Sequence, residues 1–259
     1  MPFAQKILYT IPTIPLGLIV VVFAVLLSIF GLMVTRRLVP HKMLNQHTDL
    51  TAAIFEAVGM AYTVILAFMV VVSWQNFDKT LTNVEGEANE LVDLYRDSAA
   101  FQPEQAEKIR TGLKEYYDAV ITDEWQLMEK GKESVKANDA LRKVWSFYAS
   151  YEPVSAKESA FFSESISNLN DLRESRRLRI MSSRTGINYV LWFILIFGGL
   201  TTICFTFFFA AENFTYNLLL VSILGAIIGL VLLTILLFDF PFTGDVKIPV
   251  DVYKQIVNF

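Results

Sequence analysis

The sequence has one cysteine and two histidines in 259 residues. A lone Cys204, set in an apolar run, excludes an intrachain disulfide and a thiolate metal cluster. It reads as a small core or lipid-facing residue. His41 and His47 stand six apart with Asp49 the nearest carboxylate, too few ligands for a metal centre. No metal and no cofactor is expected. A phosphate-cradling glycine loop, an HExxH helix and a nucleophile elbow are all missing. No catalytic residue is therefore assigned, and the chain does not read as an enzyme. The alternation expected of strands is also missing. A net charge of −4 counts against nucleic acid as a partner.

Charge is scarce at both ends. Of 26 acidic residues, 20 lie between Asn76 and Asn188, as do 16 of the 22 basic ones. Hydrophobic residues make up 54% of the chain, against about 45–50% for a soluble domain. Apolar ends flanking a charged middle are the composition of membrane spans around a water-facing insert.

Four runs are long enough to cross a bilayer: residues 14–34, 54–74, 189–210 and 216–238. Twenty-one residues at about 1.5 Å each cover roughly 31 Å, one hydrocarbon core. The first run is too long for a signal peptide and ends in Arg36-Arg37, so it reads as a retained span. Trp74 closes the second span and Tyr189 and Trp192 open the third, where aromatic belts belong. The fourth contains Gly225 and Gly229, a GxxxG spacing that suits helix packing. The expected fold is all-α: two pairs of spans (1–75 and 189–259) with a helical domain (76–188) inserted between spans two and three. An even number of crossings puts both termini and the domain on one face. More Lys and Arg flank the spans on the domain side than on the hairpin side, which favours a cytoplasmic domain, although Arg36 and Arg37 oppose it.

The middle stretch carries helical stripes. Val84, Ala88, Leu91, Val92, Tyr95 and Ala99 recur at three and four residues, as do Ala106, Ile109, Leu113, Tyr116, Val120 and Leu127, and then Phe162, Ile166, Leu169 and Leu172. Pro103 marks a helix start, and Ser155 to Glu158 a capping box. The helices on either side are expected to run unbroken into spans two and three.

Two charged features stand out. Glu85, Glu87, Glu90, Asp93 and Asp97 lack the spacing of an EF-hand loop and read as a solvated helix face. Arg173, Arg176, Arg177 and Arg179, followed by Arg184, form a basic helix. Contact with anionic lipid headgroups, an electropositive entry that concentrates anions, and a topology signal with salt bridges all remain open. At membrane depth, Glu56 is the carboxylate whose desolvation cost invites a functional reading.

Taken in order, the sequence has a first span ending in Arg-Arg followed by Pro40 and Asn45. A second span then carries Gly59, Tyr62, Leu66 and Phe68, and a Glu87-Ala88 helix comes after it. Tyr116 precedes Glu124-Trp125, then come the arginine run and the terminal Asp239-x-Pro-Phe-x-Gly244. In this order and spacing the chain resembles the bacterial bestrophin-like family, a domain of unknown function distantly related to the bestrophin anion channels. The resemblance implies a homo-oligomer in the bacterial inner membrane, with lipid and inorganic anions as partners and span two lining the pore. One face of that span offers Tyr62, Leu66, Met69 and Ser73. The other offers Glu56, Thr63, Ala67 and Trp74, with Gly59 nearby. The chain lacks the dense acidic clasp that binds calcium in animal bestrophins. The alternative is a non-conducting membrane sensor or scaffold whose helical domain binds a protein partner. A transporter is disfavoured, because no inverted repeat with broken helices is evident.

Overall fold

A computed structural model describes residues 3–39, 48–209 and 213–257. The expected positions Pro40, His41, Asn45 and His47, and residues 210–212 between the last two spans, lie outside them. The described residues contain helices and turns, and no strand. The helices are α1 (Phe3–Thr10), α2 (Thr13–Leu38), α3 (Thr48–Asp97), α4 (Pro103–Ala119), α5 (Trp125–Met128), α6 (Val135–Ser150), α7 (Ala156–Arg184), α8 (Tyr189–Thr206), α9 (Phe214–Asp239) and α10 (Val250–Ile256). Among them, α2, α3, α8 and α9 are long and apolar enough to cross a membrane.

The residues form two compact units. One gathers Met1–Thr10, Phe77–Gly186 and Phe240–Phe259; the other gathers Ile11–Asn76 and Ile187–Asp239. The sequence pattern places both termini with the span pairs, whereas α1 and the stretch after α9 pack into the first unit, here called the helical body.

In the body, α3 contributes Val84, Ala88, Leu91 and Leu94 to the core, α4 contributes Ile109, Leu113 and Tyr116, and α7 contributes Leu169 and Leu172. Leu94 lies outside the sequence stripe, whose Val92 and Tyr95 are half-buried and whose Ala99 is exposed; the other residues match their stripes, with one shift after Val120. A π-helical turn at Val120–Glu124 joins α4 to α5. The extra residue rotates the next helical turn by about 100°. Trp125 and Met128 are therefore buried where Leu127 was expected, and Glu124 is fully enclosed.

Helix ends obey local chemistry. Pro103 opens α4, needing no N–H there. Ser155 Oγ accepts from Glu158 N at 3.1 Å, capping α7. The Glu158 carboxylate takes Val154 N at 2.8 Å instead of closing the reciprocal box. Gly244, at φ +86°, makes the turn after α9, a conformation that a Cβ disfavours.

Helix α3 is continuous across the boundary of its apolar stretch, as expected. Its counterpart is not. Helix α7 ends at Arg184 and α8 starts anew at Tyr189, with extended backbone at Thr185. The break has a cause that the charge pattern hid: Asn188 Oδ1 accepts from Val190 N at 2.9 Å, an N-cap that begins a second helix.

In the other unit, α9 lies along α2. A Cβ on Gly229 would sit 3.1 Å from Ala24 Cβ, and one on Gly225 would fall on Ser28 Oγ. The two glycines thus let α2 approach within the same chain. Asp239 Oδ1 accepts from Ile187 N at 2.6 Å, and its Oδ2 from Trp192 Nε1 at 3.3 Å, tying the end of α9 to the start of α8.

Candidate functional site

The second span has two unlike faces. Tyr62, Leu66, Met69 and Ser73 recur at four, three and four residues and all are buried, the first three in a core shared with the chain's other spans. Tyr62 is the centre of that contact. Its hydroxyl donates to Leu195 O at 2.9 Å. Its ring lies on Gly198 and Gly199, where an added Cβ would come within 2.6 and 2.7 Å. Ser73 Oγ donates to Met69 O at 2.8 Å, so its hydroxyl needs no outside partner.

About 120° around the helix, Glu56, Thr63, Ala67 and Trp74 are exposed in the chain. Gly59 lies between the faces, with open space where a Cβ would stand. Glu56, Gly59, Thr63 and Ala67 form one wall of a groove of about 630 Å³, completed by Thr202 of α8 and Leu224 and Ile227 of α9. The surface of α3 also exposes large apolar residues, Met60, Val64, Phe68 and Trp74 among them. On α2 the exposed residues include Ile14, Leu18, Phe23 and Phe30, and on α8 they include Phe193, Ile196 and Phe197. Such large apolar side chains suit lipid. Around the groove α3 adds a carboxylate, a hydroxyl, a glycine and an alanine from Glu56, Thr63, Gly59 and Ala67.

The arginine helix α7 divides in the same way. Arg176 and Arg179 turn inward. Arg179 is wholly buried and holds Glu87 through Nε at 2.6 Å and Nη2 at 2.9 Å, and Glu124 through Nη2 at 2.8 Å. Arg176 holds Glu124 through Nε at 3.2 Å and Nη2 at 2.6 Å. Tyr116 and Tyr253 donate their hydroxyls to Glu87 Oε1 at 2.6 and 3.2 Å. Burial, reinforced by the Glu87 charge, pushes both phenols well above their usual range, so they stay protonated donors. Burial also pushes the Glu124 carboxyl up, but Arg179 and Arg176 outweigh it and leave it below the ordinary value. Four charges thus cancel inside the body, with the π-helical turn supplying Glu124 and α10 supplying Tyr253.

Arg173 and Arg177 turn outward. Arg173 lies over the Trp145 ring at 5.2 Å, and Arg177 makes a two-pronged, exposed pair with Glu174. The four arginines that the sequence grouped as one feature therefore form two pairs with different environments. The helical period separates 176 and 179 from 173 and 177, and it was legible in the sequence. The partners were not, since Glu87 lies 92 residues from Arg179.

The acidic run splits too. Glu87 is buried in the network, and Glu85 and Asp93 are exposed. Glu90 is half-buried beside Ser175, which donates to its Oε1 at 3.2 Å. Its Oε2 is enclosed without a hydrogen-bond partner. Burial, with Asp171, Glu87 and Asp93 nearby, pushes this carboxyl up to about 7. Among the described residues no group of three His, Cys, Asp or Glu is placed to hold a metal ion.

The model of the Bestrophin-like domain matches residues 22–253. No curated protein matches the sequence. Solved structures of similar fold include a point-mutant bacterial bestrophin homologue from Klebsiella pneumoniae. It is 13% identical with a TM-score of 0.68, covering 92% of this chain and 97% of that one. Another structure of a bestrophin homologue from the same organism is 14% identical with a TM-score of 0.65, covering 91% and 95%.

Proposed function

The chain belongs to the bestrophin-like family, and from that premise we propose that it is the subunit of a homo-oligomeric membrane channel that conducts anions. In this reading α3 lines the pore with the face that carries Glu56, Gly59 and Thr63. The observation that supports it lies along α3: Tyr62, Leu66, Met69 and Ser73 are buried within the chain, and the groove beside them adds the small or polar Glu56, Gly59, Thr63 and Ala67. Small residues leave room for a permeating ion, and Thr63 offers it a hydroxyl. Met60 and Val64 are exposed further round, where apolar rings can gate by dewetting.

Outward-facing Arg173 and Arg177 form the electropositive entry, while Arg176 and Arg179 hold the body together. The termini and the helical body lie on the cytoplasmic side of the bacterial inner membrane, consistent with the excess of Lys and Arg near that side of the spans.

The test is flux from liposomes carrying the pure protein. Chloride efflux above that of empty liposomes is expected, with reversal potentials in a salt gradient tracking the anion. Confirmed oligomers that give no efflux would overturn the reading.

A further inference from the structure

The helical body carries a groove that the buried ion network leaves unused. It runs between α6 and α7 and encloses about 810 Å³, the size of a small-molecule site. Along α7, Asn170, Arg173, Arg177 and Arg184 succeed one another at three, four and seven residues, one stripe of the helix. Asn138, Arg142 and Trp145 form the facing stripe of α6. Arg176 reaches the same wall, but its charge is committed to Glu124. That leaves four guanidinium groups against two lining carboxylates, Glu133 and Glu174.

These carboxylates hold the arginines weakly. Arg177 with Glu174, and Arg184 with Glu133 at 3.1 Å, are pairs in which both side chains are well exposed. Arg142 pairs at 3.6 Å with an equally exposed Asp139. Exposed pairs are screened by water and contribute little, so a multiply charged anion competes with them. Arg173 has no carboxylate within ion-pair distance among the described residues; its guanidinium lies over the Trp145 ring at 5.2 Å. A guanidinium presents forked N–H donors that match the oxygens of a phosphoryl group, and two helices here offer such forks from two sides. A halide would fill a small part of this volume and would use one donor from each fork.

We propose that this groove binds a phosphoryl group, carried by a free phosphate compound or by an anionic lipid headgroup. Arg173 and Arg177 make the central contacts, with Arg142 and Arg184 at the two ends. The site does not depend on ion conduction, and its test requires none.

The experiment uses the full-length protein in neutral detergent. Pyrophosphate is titrated at constant ionic strength, with sodium chloride as the balancing salt, and binding is read by calorimetry and by the shift in Tm. A second arm titrates short-chain phosphatidylglycerol against phosphatidylcholine. Saturable binding of pyrophosphate alone assigns a free phosphate. Binding of phosphatidylglycerol that pyrophosphate displaces assigns the headgroup. In either case Arg173→Gln with Arg177→Gln weakens binding at least tenfold, and Arg142→Gln weakens it several-fold. Arg173→Lys, which retains the charge and loses the fork, tests the same point should the double variant not fold. No saturable binding in either arm overturns the proposal, as does binding that the variants leave unchanged.

Discussion

Arg179 and Glu87 are joined by two hydrogen bonds, at 2.6 and 2.9 Å, and neither side chain reaches solvent. They come from α7 and α3, 92 residues apart, so the bond forms only once the body is assembled. The same guanidinium reaches Glu124 and lies 5.4 Å from the Trp125 ring. Its loss would strand two buried carboxylates.

Breaking a buried pair from one side costs about 3–5 kcal/mol. Arg179→Met should therefore lower the thermal stability of the body sharply, while Glu87→Gln, which leaves no unpaired carboxylate, should cost less. Arg177→Met, at an exposed pair, should change stability far less than Arg179→Met. Differential scanning of the three variants checks the order. Equal losses at 177 and 179 would show that the inward and outward distinction has no energetic content.

Tyr62 packs on Gly198 and Gly199 and donates to Leu195 O. Tyr62→Phe keeps the ring and should cost only about 0.6 kcal/mol, the average for hydrogen bonds between membrane helices. Gly198→Leu places a side chain where the ring already sits and should cost several times more. Unfolding in mixed micelles separates the two.

Glu90 holds its proton up to about pH 7 in the folded body, against 4.5 ordinarily. Between these values the native state binds the proton and the unfolded chain has released it, so this group makes stability fall as pH rises through the window. Above pH 7 its charge is a standing cost. Glu90→Gln should stabilise the protein at pH 8 by about 1 kcal/mol, allowing for solvent screening at a half-buried site, and should leave stability at pH 4 unchanged. Melting curves at the two pH values decide it.

Glu56 is exposed on the open face of α3. In a pore its negative charge repels anions, so Glu56→Gln should raise anion over cation permeability by about threefold, and Glu56→Lys by more. Reversal potentials in planar bilayers measure this. A permeability ratio that ignores both substitutions places Glu56 away from the ion path.

The spans were legible because an apolar run of some twenty residues has few alternatives: in lipid its backbone must satisfy its own hydrogen bonds, and a helix does so locally. The stripes of α3, α4 and α7 were legible for a related reason, since a helix repeats its buried face every three or four residues. Where a local device intervened, the pattern misled. The π-helical turn moved burial from Leu127 to Met128, and the Asn188 cap broke the helix expected to enter span three.

By itself the sequence determined the number of spans, the charged body and the helical periods, all consequences of interactions within a few residues. Tertiary structure decided which face of α3 is covered, which arginines are neutralised, and which carboxylate sits enclosed without a full set of partners. Tyr62 and Glu56 differ by about 120° on one helix, and only the arrival of Gly198 and Gly199 from another part of the chain makes one face interior and leaves the other open.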